Sequence, residues 1–358
     1  SRMPDDSLRP VDDGAATSPA VVVVGAGIVG AALAYRLATR GRTVALFDAG
    51  LPASGATGAS FGWIGRPGTD RRPSAALRRL AVDEWHRLEH EVPGLNVRWT
   101  GSLTWGGVGS SGSPGHAIAD AAAIEPRLAH PPADGRHEPA DGAVEPTAAT
   151  EALVAAARAH GAELRVGVPV TGLVRDGSAV TGIRTGEGTW RARTVVLAAG
   201  VGAVALCAGI GIDLPVRSSP AVMVRLRAEP GWVRTIVGSP DLEVRQEPDG
   251  TLLVPLAYGG ETDRAALRST AERARRTVAA AFDGMEPEIV SVEVGWRPMP
   301  ADEEPIVGPD ARAPGLYLAT MHSGVSLAAA AARLAAEEIA TGLDAPELAG
   351  CRLARFDG

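Results

Sequence analysis

The chain has 358 residues, 45% of them hydrophobic, which is enough for a large core divided between two lobes. A formal charge of −7 and a pI near 5.6 exclude the broad basic surface that a nucleic-acid backbone selects. All 35 Lys+Arg residues are Arg, which excludes Schiff-base chemistry and lysine general bases, and two unrelated cysteines, Cys207 and Cys351, provide neither a disulfide framework nor a metal cluster.

The first 17 residues, rich in Asp, Pro and Ser, predict a disordered tail without the basic-then-apolar order of a signal peptide. The run VVVVGAGIVG (21–30) then joins a valine strand to Gly25-x-Gly27-x-x-Gly30 at the start of a helix, and a second strand, TVALFD, ends at Asp48. In that unit Gly25 makes the tight turn, Gly27 lets backbone approach a pyrophosphate, and Gly30 lets helix pack on strand. Helix N-terminal N–H groups would hold the phosphates, with Ala26, Ile28 and Val29 around the turn. Asp48, flanked by Phe47 and Ala49, suits an adenosine ribose and would repel a 2′-phosphate. The unit alone leaves NAD and FAD open.

Arg71, Arg72, Arg78 and Arg79 form a basic cluster followed by Asp83, Glu84, Glu89 and Glu91, which reads as a solvated helix. Residues 91–145, rich in Gly, Pro, Ser and Trp, read as an inserted lobe with a strand at VRWTGSLTWGG. Next come a helix at EALVAAARAH (151–160), a strand ELRVGVPV, a hairpin through Asp176-Gly177 and a strand TVVLAAG. Strands at PAVMVRLRA, DLEVRQ and TLLVPLAY precede a helix near 262–282 and the strand EIVSVEVGWRP. The chain closes with strand LYLAT, the turn Met321-His322-Ser323-Gly324 and an alanine-rich helix ending near Gly342. No apolar run reaches transmembrane length, and together with the cysteine usage this predicts a cytoplasmic protein.

Six segments in order carry a family resemblance: VVVVGAGIVGAALAYRLATRG, SGATGASFGWI, DGAVEP, RARTVVLAAGVGA, GWRPMPADEEPIVGPD and YLATMHSGVSLAAAAARLAAEEIATG. The chain resembles the D-amino acid oxidase superfamily of flavoproteins, in layout the glycine oxidase and sarcosine oxidase type, over residues 20–345. The resemblance implies an α/β fold of two lobes, a Rossmann-like FAD-binding domain (18–90, 146–215 and 290–348) with an inserted β-rich substrate domain (91–145 and 216–289). It implies non-covalent FAD, since no Cys or His is placed for a covalent link. It also implies hydride transfer from the carbon bearing a neutral amine of a small amine or amino acid, giving an imine that water hydrolyses.

In the loop after Asp48, Ser54, Gly55, Ala56, Thr57, Ser60, Phe61 and Gly62 combine glycines that admit a flat ring with hydroxyl donors. The strand ends at Pro169, Val170, Ala198, Ala199 and Gly200 are further expected cofactor contacts. His322, Ser323, Gly324, Val325 and Ser326 would lie beside the isoalloxazine, with helix N–H groups stabilising the reduced anionic flavin. Met321 departs from the family's Gly at that position. Arg297 in GWRP matches the arginine that holds a substrate carboxylate, a task for a planar fork; the alternative is structural pairing with Asp302, Glu303 or Glu304. Tyr258 either reaches the substrate or is packed with its hydroxyl satisfied, and Arg245 and Gln246 could line the pocket. Sarcosine-oxidase-type members use a lysine near the flavin to promote oxygen reduction, and its absence leaves O2 open against another acceptor. The competing readings are a flavin dehydrogenase or tailoring enzyme for a larger amine, and a non-catalytic flavin- or NAD-binding module. Oligomeric state is not legible.

Overall fold

The computed structural model of the protein describes residues 21–65, 71–108, 116–117 and 120–358; the tail expected over 1–17 lies outside them. One sheet has six strands in the order Ile306–Pro309, Leu316–Thr320, Thr194–Leu197, Val21–Val24, Val44–Asp48, Glu163–Val166. All neighbours are parallel except the first pair. Val21–Val24 is buried throughout, as an unbroken valine run requires when both faces of a parallel sheet are covered.

The long helices are α1 (Ile28–Thr39), α2 (Ala75–Glu91), α3 (Pro146–Ala159), α4 (Arg264–Ala281) and α5 (Gly324–Thr341). Residues of α1, α2, α3 and α5 form one core with Val21, Val23, Leu46 and Val196. The other face is covered by an antiparallel meander, Val170–Asp176, Ala179–Thr185 and Gly188–Arg191. There Trp190 meets Phe47 edge-on, ring centroids 5.2 Å apart. Helix α3 starts five residues before its expected position at Glu151, because Pro146 occupies its first turn and Glu145 accepts the Ala148 N–H at 2.8 Å.

The second sheet has eight strands in the order Glu288–Pro300, Val216–Arg227, Thr251–Ala257, Glu243–Gln246, Ile236–Gly238, Ser102–Thr104, Arg136–Glu138, His116–Ala117. Ala271, Ala274 and Val278 of α4 pack on Val222, Val224, Leu252 and Val254 at one of its faces. Strand alternation then turns Ala221, Met223 and Pro255 to the opposite face. The strand Glu288–Pro300 pairs along its length with Val216–Arg227, so a domain boundary at 290 cuts a continuous element of this sheet. The strand expected over VRWTGSLTWGG is only Ser102–Thr104; Gly101, at φ +76°, breaks it from Arg98, which bridges Ala143 alone. Among the described residues, no helix is long and apolar enough to cross a membrane.

Candidate active site

A cavity of about 1090 Å³ is lined from both sheets, above the range usual for a drug-sized ligand. At one end stands the glycine turn. Gly25 has φ +107°, and a methyl group there would sit 2.2 Å from the Ala198 carbonyl oxygen. At Gly30 a methyl would sit 1.8 Å from the Gly25 carbonyl oxygen, so strand and helix touch backbone to backbone. Gly27 has a different neighbour: Thr57 Oγ1 lies 2.9 Å from where its Cβ would be and accepts the Ile28 N–H at 3.1 Å. Asp48 accepts the Ala26 N–H through Oδ2 and the Gly50 N–H through Oδ1, each at 2.8 Å. Helix α1 has no side-chain cap at Gly27, which leaves first-turn N–H groups facing the cavity without intrahelical acceptors. A backbone cradle at a helix N-terminus beside a fixed carboxylate fits the pyrophosphate and ribose of a dinucleotide.

The N-terminus of α5 also opens on the cavity, where a methyl group at Gly324 would lie 3.4 Å from Val29 of α1. Ser323 precedes α5 in the left-handed region, φ 60° and ψ 33°, and gives no side-chain cap. Trp85 of α2 fixes this turn, its indole N–H donating to the carbonyls of Val325 (3.0 Å) and Ser326 (3.1 Å). Burial, then the charges of Arg297 and Arg78, hold the His322 imidazole below its ordinary pKa of 6.5, which keeps it neutral at pH 7. Met321 is buried at the cavity wall, where the sequence left the loop geometry open.

Arg297 lines the same space from the strand Glu288–Pro300. Its Nε donates to the Ser219 carbonyl at 3.0 Å and one terminal nitrogen to Ser219 Oγ at 3.1 Å. Two of the three acidic residues offered as alternative partners are engaged elsewhere: Asp302 with Arg355 at 2.7 and 2.9 Å, Glu304 with Ser74 and Arg72. No carboxylate pairs with Arg297 among the described residues. Burial, then Arg217, presses its pKa down, a strain that a bound anion would relieve.

Of the site residues named from the sequence, Ala26, Gly30, Tyr258, Arg245 and Gln246 do not line the cavity; the others, from Gly25 to Ser326, do. Tyr258 is corrected: its hydroxyl donates to the Glu261 carbonyl at 3.1 Å, and its ring packs against Trp296, which takes the place at the wall. Arg245 and Gln246 are also corrected. Arg245 is 3% exposed, with its guanidinium spent on the carbonyls of Phe61 (2.6 Å) and Val144 (2.7 Å) and on Glu247. Gln246 donates to the carbonyls of Glu229 and Gly250. The solvated helix is corrected in part, since α2 buries Leu77, Trp85 and Leu88, and Arg72 and Arg78 line the cavity. Residues that sequence reading missed include Trp63, Thr104, Glu138, Glu243, Met223 and Pro255, which meet here from well separated segments.

The glycine cradle and the carboxylate beside it define a dinucleotide-binding fold whose cavity is walled on one side by the second sheet. The model of the FAD dependent oxidoreductase family (DAO) matches residues 20–338, and the chain belongs to that family. It is an FAD-dependent oxidoreductase. Glycine oxidase of Pseudomonas aeruginosa is 27% identical over 89% of the chain and 94% of the relative. The bifunctional protein ThiO/ThiG of a Nostoc species is 26% identical over 89% of the chain, which spans about half (52%) of that relative's length. Glycine oxidase of Geobacillus kaustophilus superposes with TM-score 0.80 at 25% identity, covering 94% of the chain and 98% of that structure. L-amino acid deaminase of Proteus myxofaciens gives TM-score 0.82 at 19% identity, covering 98% and 96%, and shows the shared fold.

Proposed function

We propose that the protein oxidises the C–N bond of an amino acid or small carboxylated amine, with non-covalent FAD as the immediate acceptor and O2 as the terminal one. The observation that carries this reading is Arg297, a cavity guanidinium oriented by Ser219 and without a carboxylate partner among the described residues. A carboxylate gripped there by the free edge of the fork would be held bidentately beside the α5 N-terminus. Bound FAD supplies the hydride acceptor while the substrate carbon–nitrogen bond becomes an imine that water hydrolyses.

The residues of the chain bind and orient. The Gly25–Gly30 turn, Asp48 and the Ser54–Gly62 loop would hold the cofactor, and the unpaired N–H groups at the start of α5 would favour negative charge on it. His322 stays neutral and shapes the wall without taking the proton, because hydride leaves a carbon whose amine has already lost its proton to solvent. We assign the cofactor lobe to 18–90, 146–215 and 301–348, and the substrate lobe to 91–145 and 216–300, which keeps the strand Glu288–Pro300 whole.

A second reading, a dehydrogenase or tailoring enzyme for a larger amine, is favoured by the reach of the cavity to Thr104 and Glu138. An aerobic screen of carboxylated amines decides between them. Flavin bleaching with stoichiometric peroxide supports the oxidase; bleaching without peroxide, reversed by an artificial acceptor, supports the dehydrogenase. No bleaching by any carboxylated amine rejects both.

A further inference from the structure

Glu243 is a cavity carboxylate that the reaction above does not use. It lies on the strand Glu243–Gln246, has no hydrogen-bond or ion-pair partner among the described residues, and burial raises its pKa above the usual carboxylate value. Its surroundings are built across the sheet. Glu243 pairs with Gly238, Gly238 with Thr104, and Thr104 with Arg136, one row over four strands. Gly238 leaves a gap in that row which three side chains approach: a methyl group there would lie 3.2 Å from Val108, 3.3 Å from Thr104 and 3.8 Å from the Trp63 indole. Trp63 is itself pinned, donating its indole N–H to Asp141 at 2.9 Å. Glu138, on the strand that carries Arg136, also lines the cavity and spends one oxygen on the Ala140 N–H. An unpaired, partly buried carboxylate with an indole close to the neighbouring glycine is a recognition element for a cation, which would supply the missing counter-charge.

Arg297 occupies the opposite end of the same sheet face. It pairs with Ser219, four residues before Met223, and Met223 pairs with Pro255, on the strand next to that of Glu243. Three inter-strand steps and four residues along a strand place the two Cα atoms about 20 Å apart, a gap that two long side chains shorten. We propose that the cavity is bipolar, with Arg297 taking the substrate carboxylate and Glu243 taking a second, cationic group, so that the substrate is an amino acid whose side chain ends in an ammonium or guanidinium. The Arg297 half rests on the function proposed above; the Glu243 half stands on its own geometry.

The test is direct binding to the holoenzyme by calorimetry, with both enantiomers of lysine and of its neutral isostere 6-hydroxynorleucine. Wild type is expected to bind lysine about ten- to a hundredfold more tightly, the range of a charge-assisted contact. Glu243→Gln is expected to bring that ratio close to one, and Glu243→Arg to favour 2-aminoadipate over lysine. Equal binding of lysine and its isostere by wild type, no binding of either, or a preference surviving in Glu243→Gln overturns the proposal. Flavin reduction followed on the same samples keeps the readings separate. A Glu243-dependent preference without any bleaching rejects the oxidation reading and leaves the cation site standing; bleaching without a preference does the reverse.

Discussion

The carboxylate of Asp48 accepts the backbone N–H of Ala26, joining the end of the second strand to the middle of the glycine turn at 2.8 Å. The acid therefore shapes the cradle before it meets any ribose, and its second oxygen shapes the following turn through Gly50. Asp48→Ala should cost about 2 kcal/mol of apoprotein stability, measured by denaturant unfolding, because two N–H groups lose a charged acceptor. FAD should bind more weakly in the same variant. Unchanged apoprotein stability would limit Asp48 to ligand contact.

The glycines separate into two kinds. Gly27→Val should give a folded protein that does not retain FAD, since its side chain would displace Thr57 and project at the start of α1. Gly30→Ala should lose the fold itself, because its methyl meets the Gly25 carbonyl, backbone that cannot turn aside. Flavin content alongside circular dichroism distinguishes these outcomes. Stoichiometric FAD in Gly27→Val would place the pyrophosphate elsewhere, and flavin that stays attached after acid denaturation would refute non-covalent binding.

Arg297→Ala should lose roughly 2 to 4 kcal/mol of substrate stabilisation in kcat/KM with FAD content unchanged. Arg297→Lys should recover little of it, since a point charge cannot both bond Ser219 twice and grip a carboxylate. Full activity in the alanine variant would mean a substrate without a carboxylate or one held by another group.

The rate of flavin reduction should climb with pH, because a free amine near the lysine reference pKa of about 10.4 is mostly protonated at pH 7. His322 does not titrate in that climb, its pKa lying below 6.5, so His322→Ala should keep the alkaline rise while altering the flavin spectrum. The depressed pKa also fixes a sign for stability. As pH falls through 6.5 the unfolded chain takes up a proton that folded His322 refuses, so this group's contribution lowers stability on the acid side, and His322→Ala removes it. A variant that loses the alkaline rise would make His322 the base.

The nucleotide end was legible in the sequence because its parts are contiguous: strand, turn, helix and acid lie between Val21 and Asp48. Arg297 was legible only through resemblance, and its availability became visible once Asp302 and Glu304 were seen bonded to Arg355 and Ser74. Tyr258 was misplaced because period-two alternation ends with its strand at Ala257, and a residue past the strand end follows its own turn. Glu243, Trp63 and Thr104 carry no local signal; register across separate strands brings Glu243 level with Thr104, and Trp63 approaches the glycine between them together with Val108. Arg245, two residues after Glu243 on the same strand, was the more visible choice, yet it reaches past the cavity to the carbonyls of Phe61 and Val144.

Ser323 holds a backbone conformation that glycine adopts freely and serine does not, at the point where α5 begins and Trp85 grips its first turn. A non-glycine residue there stores about 1 kcal/mol, so the molecule gives up some resilience to keep that corner rigid. Ser323→Gly should therefore raise Tm while letting the corner wander, and slower flavin reduction in a more heat-resistant protein would be the mark of that exchange.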